Sequence, residues 1–160
     1  MHAVVVIGAS AGGFEPLRRI IAALAVPCTA SVYVVMHIGS KPSVLPSLLD
    51  RPGLPAGFAQ DGTLIEAGHI YVAPPDHHMF LERHSIRLSH GPKVHHTRPA
   101  IDPLFVSAIA RQLGWPAIPR VAGRPTLLSR GSPRPKFMGT GSSASFSVVG
   151  MVTALPDCLR

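Results

Sequence analysis

Charged residues and cysteines are both scarce in this chain of 160 residues. Only 14% of the residues are charged and 46% are hydrophobic, whereas a typical soluble domain is about 25% charged. This composition argues against global disorder, which requires low hydrophobicity and high net charge. The two cysteines, Cys28 and Cys158, form no Cys-x-x-Cys pattern, so a disulfide framework is unsupported and a reducing compartment fits. Cys28 is interpreted as a small apolar filler.

Long hydrophobic runs are also missing. The longest, Ile20 to Val26, is far shorter than the ~20 residues that span a bilayer. The first residues lack the basic segment and the apolar stretch of a signal peptide. The length allows one domain with a sizeable core. We therefore expect a soluble, cytoplasmic protein without membrane insertion.

Positive charge is concentrated at the C-terminal end. Residues 1–118 carry nine Lys and Arg against seven Asp and Glu, whereas residues 119–160 carry six against one. A net charge of +7 would suggest a nucleic-acid partner, but the last 42 residues lack interleaved aromatic side chains that could stack on bases. We expect no nucleic-acid partner, and we predict a domain over 1–118 followed by a basic Pro-, Gly-, Ser- and Arg-rich tail over 119–160.

The N-terminal segments predict a β–turn–α–β unit. Ala3–Ile7 is a short β-branched run typical of a strand buried on both faces, and Phe14–Ala25 has a helical apolar period before Pro27. Ser31–Met36 is a second buried strand, so the two strands should be parallel neighbours. The further predicted elements are a short helix over Pro42–Asp50, strands over Gly57–Gln60, Thr63–Glu66 and His69–Ala73, an antiparallel hairpin of Met79–Glu82 and Ile86–Ser89, and a helix over Ile101–Leu113.

The first turn carries the clearest chemical motif. Gly8-Ala9-Ser10-Ala11-Gly12 matches G-x-S-x-G, in which a serine stands on a strained strand-to-helix turn and tiny neighbours let the turn close. The N–H of Ala11 could then face a developing oxyanion. Two nucleotide-binding motifs are excluded: a dinucleotide-binding G-x-G-x-x-G loop would need Gly where Ser10 stands, and a Walker A loop would need a Gly-Lys-Ser/Thr sequence, which is absent. A plain glycine-rich βα turn remains an alternative.

Histidine and arginine supply further candidates. His37 ends the second predicted strand, at the same sheet edge as Ser10, where it could act as the base; a histidine that merely caps the strand is the alternative. The pairs His77-His78 and His95-His96 are interpreted as loop residues, and no His spacing predicts a metal site. Arg98 either binds a substrate carboxylate through its planar fork or is a solvated loop residue. No cofactor is predicted.

Four separated motifs resemble the catalytic domain of the chemotaxis protein-glutamate methylesterases, the CheB family. They are Val5–Gly13, Val34–His37, Ala67–His78 and Thr97–Phe105, and the resemblance covers roughly residues 3–118. It implies a doubly wound, mostly parallel α/β sheet flanked by helices, with an antiparallel hairpin. It also implies hydrolysis of glutamate methyl esters on methylated chemoreceptors or similar signalling proteins, and in some members glutamine deamidation. The family's serine falls on Ser10 and its histidine on His37.

The family's third catalytic residue has no match. Its aspartate lies in a stretch resembling Leu-Thr-Gly-x-x-x-Asp-Gly that should follow Leu113, and the acid after that point, Asp157, lacks this context. The C-terminal part of the sheet is therefore expected to be incomplete, with an unpaired strand edge. The competing hypothesis is a catalytically impaired remnant that acts at most as a binding module. Two hypotheses explain the tail, a reading-frame change in GC-rich DNA, which we favour, and genuine divergence. Translating the neighbouring frames near position 120 tests the first, and the absence of an Asp-Gly loop in every frame would reject it.

Many family members carry an N-terminal receiver domain that gates the active site. This chain begins directly with the methylesterase-like motifs. The resemblance therefore predicts no built-in phosphorylation switch, and a receiver domain would have to come from a separate polypeptide.

Overall fold

The computed structural model describes residues 3–10, 12–38, 40–114, 137–138 and 149–153. Eleven elements lie in these ranges. The strands are β1 (Val4–Ala9), β2 (Ser31–Met36), β3 (Ala56–Phe58), β4 (Ile70–Val72), β5 (His78–Leu81), β6 (Ile86–Ser89), β7 (Phe137–Met138) and β8 (Val149–Thr153). The helices are α1 (Phe14–Ala23), α2 (Leu45–Leu49) and α3 (Ile101–Gln112).

A mixed sheet of six strands organises the fold, in the order β3-β4-β2-β1-β8-β7. The first four of these strands are parallel to one another, whereas β8 runs antiparallel to β1, and β7 antiparallel to β8. The register of β1 and β2 runs from Val4 beside Ser31 to Ala9 beside Met36. This register brings the carboxyl ends of both strands to the same level of one sheet edge.

The parallel strands β1, β2 and β4 are buried on both faces, which explains their nearly uninterrupted apolar sequence. Alternate side chains point to opposite faces. One face carries Val5, Ile7, Val32, Val34, Ile70 and Val72 against apolar residues of α1 and α2. The other carries Val4, Val6, Tyr33, Val35 and Tyr71 against α3 and the β5–β6 hairpin. The predicted α/β class, with a mostly parallel sheet, flanking helices and an antiparallel hairpin, is confirmed.

Two sequence-based predictions differ most from the structure. Thr63–Glu66 is not a strand: Leu64 makes one isolated bridge with Ser85 and is 67% exposed, so no apolar face holds the segment in a sheet. The helix predicted over Pro42–Asp50 begins only at Leu45, because Pro46 rather than Pro42 occupies its first turn.

The edge of β1 that faces away from β2 is paired with β8, in an antiparallel ladder from Val4–Thr153 to Gly8–Val149. The C-terminal part of the sheet was expected to be incomplete, and after residue 114 the structure describes only the short strands β7 and β8. In the ranges that the structure describes, no helix is long and apolar enough to cross a membrane.

Candidate active site

Ser10 lies at the turn between β1 and α1. The turn is closed by the Gly13 N–H, which donates to the Ser10 carbonyl at 2.8 Å, and α1 begins one residue later. The left-handed backbone is at Gly12, with φ of +82°, and not at Ser10. The expectation of a strained serine was therefore wrong: glycine adopts the positive φ without a side-chain clash, so the serine need not.

Gly8 is required to be small by its packing against α3 and not by closure of the turn. A Cβ on Gly8 would lie 2.6 Å from Cγ2 of Ile101, the first residue of α3. Helix α3 therefore packs directly on the backbone of β1, two residues before the serine. The glycine at this position of the motif is required by close packing between helix and sheet.

His37 lies beside Ser10 at the carboxyl edge of the sheet. Its backbone N–H donates to the carbonyl of Ala9 at 3.1 Å, which extends the β1–β2 ladder by one step beyond Ala9 and Met36. Both Ser10 and His37 are half-buried. Among the described residues, no hydrogen bond joins their side chains. The two candidate residues thus share one edge, as the sequence indicated, without a preformed contact.

Two of the residues considered for catalysis lie outside the described ranges. Ala11, the predicted oxyanion donor, is one, and Asp157, the unmatched C-terminal acid, is the other. The oxyanion role of Ala11 therefore stays a prediction from the sequence.

A cleft of about 300 Å³ opens next to His37. Described residues that line it are His37, Ser40, Asp76, Lys93, His96, Thr97 and Arg98. Asp76 comes from the loop after β4, and the last four come from the loop before α3. Because β4 is the parallel neighbour of β2, the loop after β4 leaves the sheet at the edge that carries Ser10 and His37. The loop before α3 is joined to it by the bond from Arg98 to Asp76. Ligand sites of open α/β sheets lie at this edge.

Asp76 and Arg98 form the rigid wall of the cleft. Arg98 Nε donates to Asp76 Oδ1 at 2.8 Å, and Nη2 makes an ion-pair contact with the same oxygen, also at 2.8 Å. The Asp76 Oδ2 atom accepts from His90 Nε2 at 2.6 Å. The Arg98 guanidinium and then His90 lower the pKa of Asp76 to about 2. Asp76 therefore stays a carboxylate at neutral pH, and its charge is balanced by the groups that hold it.

Arg98 is more constrained than a solvated loop residue. Its Nη1 atom donates to the carbonyls of His90 and Gly91, at 3.2 and 2.7 Å, and its side chain is only 14% exposed. Together with the Nε bond to Asp76, three of its five N–H groups donate hydrogen bonds, while Nη2 makes an ion-pair contact with Asp76. The solvated alternative does not describe Arg98, and the planar fork predicted for a substrate carboxylate is already bound to Asp76.

The histidine pairs divide into different roles. His78 was interpreted as a loop residue, but it begins β5, is buried, and accepts the Ala100 N–H at Nδ1 while Nε2 donates to Pro92. Burial lowers the pKa of His78, consistent with a neutral ring that joins two loops. His96 lines the cleft, and its neighbour His95 pairs with Asp102 at 3.1 Å.

Sequence reasoning missed the contribution of the residues Asp76, Lys93 and His96 to the cleft. Asp76 had a usable signal, because it follows a strand that ends at the same edge as His37. His96 had none: it reaches the cleft through two consecutive left-handed residues, with φ of 48° at His95 and 63° at His96. Within the described part of the chain, no group of three or more His, Cys, Asp or Glu could hold a metal ion.

The fold and site define a doubly wound α/β protein with a serine and a histidine at the ends of neighbouring parallel strands. The sequence profile of the CheB methylesterase family matches residues 5–118. The chain belongs to the CheB methylesterase family.

Individual relatives agree with this assignment. A protein-glutamate methylesterase/protein-glutamine glutaminase 2 of Caulobacter vibrioides is 40% identical over 111 residues, covering 65% of this chain and 32% of that protein. The protein-glutamate methylesterase/protein-glutamine glutaminase of Escherichia coli is 34% identical over 122 residues, covering 71% and 34%. The chain thus spans about a third of the length of these relatives.

A solved structure extends the comparison to the fold. The crystal structure of the Thermotoga maritima CheB methylesterase catalytic domain superposes with a TM-score of 0.61 at 32% sequence identity. The match covers 68% of this chain and 60% of that one. The sheet and its flanking helices are therefore those of a CheB catalytic domain.

Proposed function

We propose that this chain is a serine carboxylesterase-type hydrolase that acts on glutamate methyl esters of chemoreceptors or similar signalling proteins. The observation that carries the proposal is the pairing of Ser10 and His37 at one sheet edge, joined through the bond from the His37 N–H to Ala9. The names of its relatives support the reaction and add glutamine deamidation as a second one. We place the protein in the cytoplasm.

The proposed reaction is acyl transfer in two steps. Ser10 Oγ attacks the ester carbonyl while His37 takes its proton, and the Ala11 N–H holds the oxyanion. The ester C–O bond then breaks and the proton on His37 passes to the leaving methoxide, releasing methanol. Water, deprotonated by His37, then attacks the acyl-serine. The bond between the acyl carbon and Ser10 Oγ breaks, Oγ takes the proton back from His37, and the glutamate is released. Because apo hydrogen bonds between such groups are often long, the substrate is expected to bring Ser10 and His37 together.

Arg98 has a secondary role in this proposal. With Nε and Nη1 hydrogen-bonded to Asp76, His90 and Gly91, the N–H groups of Nη2 remain for the substrate, although Nη2 is held in an ion-pair contact with Asp76. Arg98 therefore contributes to substrate binding mainly by fixing the cleft wall.

The second candidate function is a non-catalytic remnant that binds signalling partners. One observation favours it: among the residues that the structure describes, no carboxylate is hydrogen-bonded to the His37 ring. Loss of the acid that orients the histidine lowers kcat by ~10⁴ in a triad enzyme. This candidate assumes the proposed division of the chain, in which a methylesterase-like domain over 1–118 is followed by a tail over 119–160 that does not supply the acid.

Labelling by a fluorophosphonate probe distinguishes the two candidates. We expect the full chain to be labelled at Ser10, with labelling lost in Ser10→Ala and strongly reduced in His37→Ala, because an unactivated serine is a weak nucleophile. Ser47→Ala, an exposed serine of α2, is the matched control and should label like the parent. Circular dichroism checks that each variant is folded. A folded parent chain that remains unlabelled rejects the hydrolase and supports the remnant.

A further inference from the structure

The cleft beside His37 carries more positive than negative charge. Its lining includes two permanent cations, Lys93 and Arg98, against one carboxylate, Asp76. Asp76 already neutralises Arg98 through two contacts of 2.8 Å and also accepts from His90. Lys93 is left as the uncompensated charge, because no described residue forms an ion pair with it.

A tight turn fixes the position of Lys93 and His96 relative to the cleft. The N–H of Val94 donates to the Thr97 carbonyl at 3.1 Å, and the Thr97 N–H donates back to Val94 at 3.0 Å. The Thr97 hydroxyl adds a third bond to the same Val94 carbonyl at 2.9 Å. His95 and His96 form the tip with positive φ, which is the geometry of a type I′ hairpin turn.

This turn is also anchored to the wall of the cleft. Arg98, the residue after Thr97, holds the carbonyls of His90 and Gly91 on the other side of the loop. His95 pairs with Asp102 in the first turn of α3, which keeps its ring away from the cleft while His96 lines it. Lys93 and His96 are thus placed by a braced loop, so binding an anion there requires little reordering.

We propose that Lys93 and His96 form a binding site for a carboxylate of the polypeptide substrate, next to the residue that carries the ester. The inference rests on the proposed function for the position of the ester, because His37 lines the same cleft. A lysine ammonium and an imidazole N–H are both donors suited to a carboxylate oxygen. The site would make the protein select esters that lie among acidic side chains.

The test measures equilibrium binding, so it does not depend on catalysis. Two fluorescent peptides carry methionine in place of the methyl-ester residue and differ only in having glutamate or glutamine at both neighbouring positions. We expect the full chain to bind the glutamate peptide about two- to fivefold more tightly at low salt, the range of an exposed ion pair. The preference should fall towards unity as salt screens the charges.

Two variants assign the effect to the site. Lys93→Gln should abolish the preference for the glutamate peptide. Arg83→Gln, which removes a positive charge from the exposed turn of the β5–β6 hairpin outside the cleft, should retain it. Equal affinity for both peptides, an unchanged preference in Lys93→Gln, or no measurable binding of either peptide would each overturn the inference. Failure of serine labelling rejects only the hydrolase, since peptide discrimination is measured independently of it.

Discussion

Replacing Gly8 by alanine tests whether α3 packs on β1 as tightly as described. The new Cβ would lie 2.6 Å from Cγ2, 2.9 Å from Cδ1 and 3.0 Å from Cγ1 of Ile101. Carbon atoms pack best at about 3.5–4.0 Å, so helix and strand must separate by up to roughly 1 Å. Rotation about χ1 gives little relief, because Ile101 is β-branched and stiff in a helix. Overpacking of this kind costs about 1–3 kcal/mol.

Urea denaturation of four variants measures this cost. Gly8→Ala should lower the free energy of unfolding by about 1–3 kcal/mol. Gly57→Ala is the matched control: nothing lies within 4 Å of its added Cβ, and Gly57 lies in the edge strand β3. It should be neutral or stabilising by up to about 1 kcal/mol, through the unfolded chain.

The double-mutant cycle with Ile101→Ala identifies the cause. Removing the isoleucine branches should relieve Gly8→Ala, giving a coupling energy of about 1–2 kcal/mol between the two substitutions. If Gly8→Ala is as harmless as Gly57→Ala, or if its cost is unchanged in the Ile101→Ala background, the packing explanation for this glycine is refuted.

Two further outcomes follow from the contacts. The pKa of Asp76 is about 2, which is below its value in the unfolded chain. The stability that the ionised carboxylate contributes is therefore present above the ordinary aspartate pKa and is lost as the pH falls through about 2. A carboxyl NMR titration should show the low pKa, and Arg98→Gln should raise it. Arg51 Nη1 donates to three carbonyls at the end of α1, those of Ile21, Ala22 and Leu24, at 2.6, 3.0 and 3.2 Å. Urea denaturation of Arg51→Met should therefore show a free energy of unfolding that is lower by about 1–2 kcal/mol. An unchanged free energy of unfolding would show that water replaces these bonds in the variant.

The sequence was most informative where local pattern and tertiary packing demand the same thing. Strand β2 was predicted residue for residue, because Ser31–Met36 is buried on both faces and pairs on both edges. The hairpin was predicted to within one residue, since its alternation matches its half-buried faces. Leu64 misled the prediction because an apolar residue in an alternating run says nothing about whether a neighbouring layer exists to cover it.

The candidate site was predictable only in its strand-borne part. Ser10 and His37 follow consecutive parallel strands, so topology alone brings them to one edge. The wall of the cleft depends on Asp76 and Arg98, which lie 22 positions apart in two loops, and no local period encodes that pairing. The position of His96 in the cleft depends on the positive φ angles of the turn, and two consecutive histidines do not predict such a turn.

The ladder between β1 and β8 affects the order in which the sheet can be completed. It joins Val4 to Thr153, roughly 150 positions away, whereas the ladder on the other side of β1 joins Val4 to Ser31, fewer than 30 positions away. Closing the longer loop costs about 1.5 kcal/mol more in chain entropy. Because synthesis proceeds from the N-terminus, one edge of β1 stays open on the ribosome until β8 has emerged. The nascent protein therefore passes through a period in which an interior strand is available to other chains, and its yield should depend on chaperones.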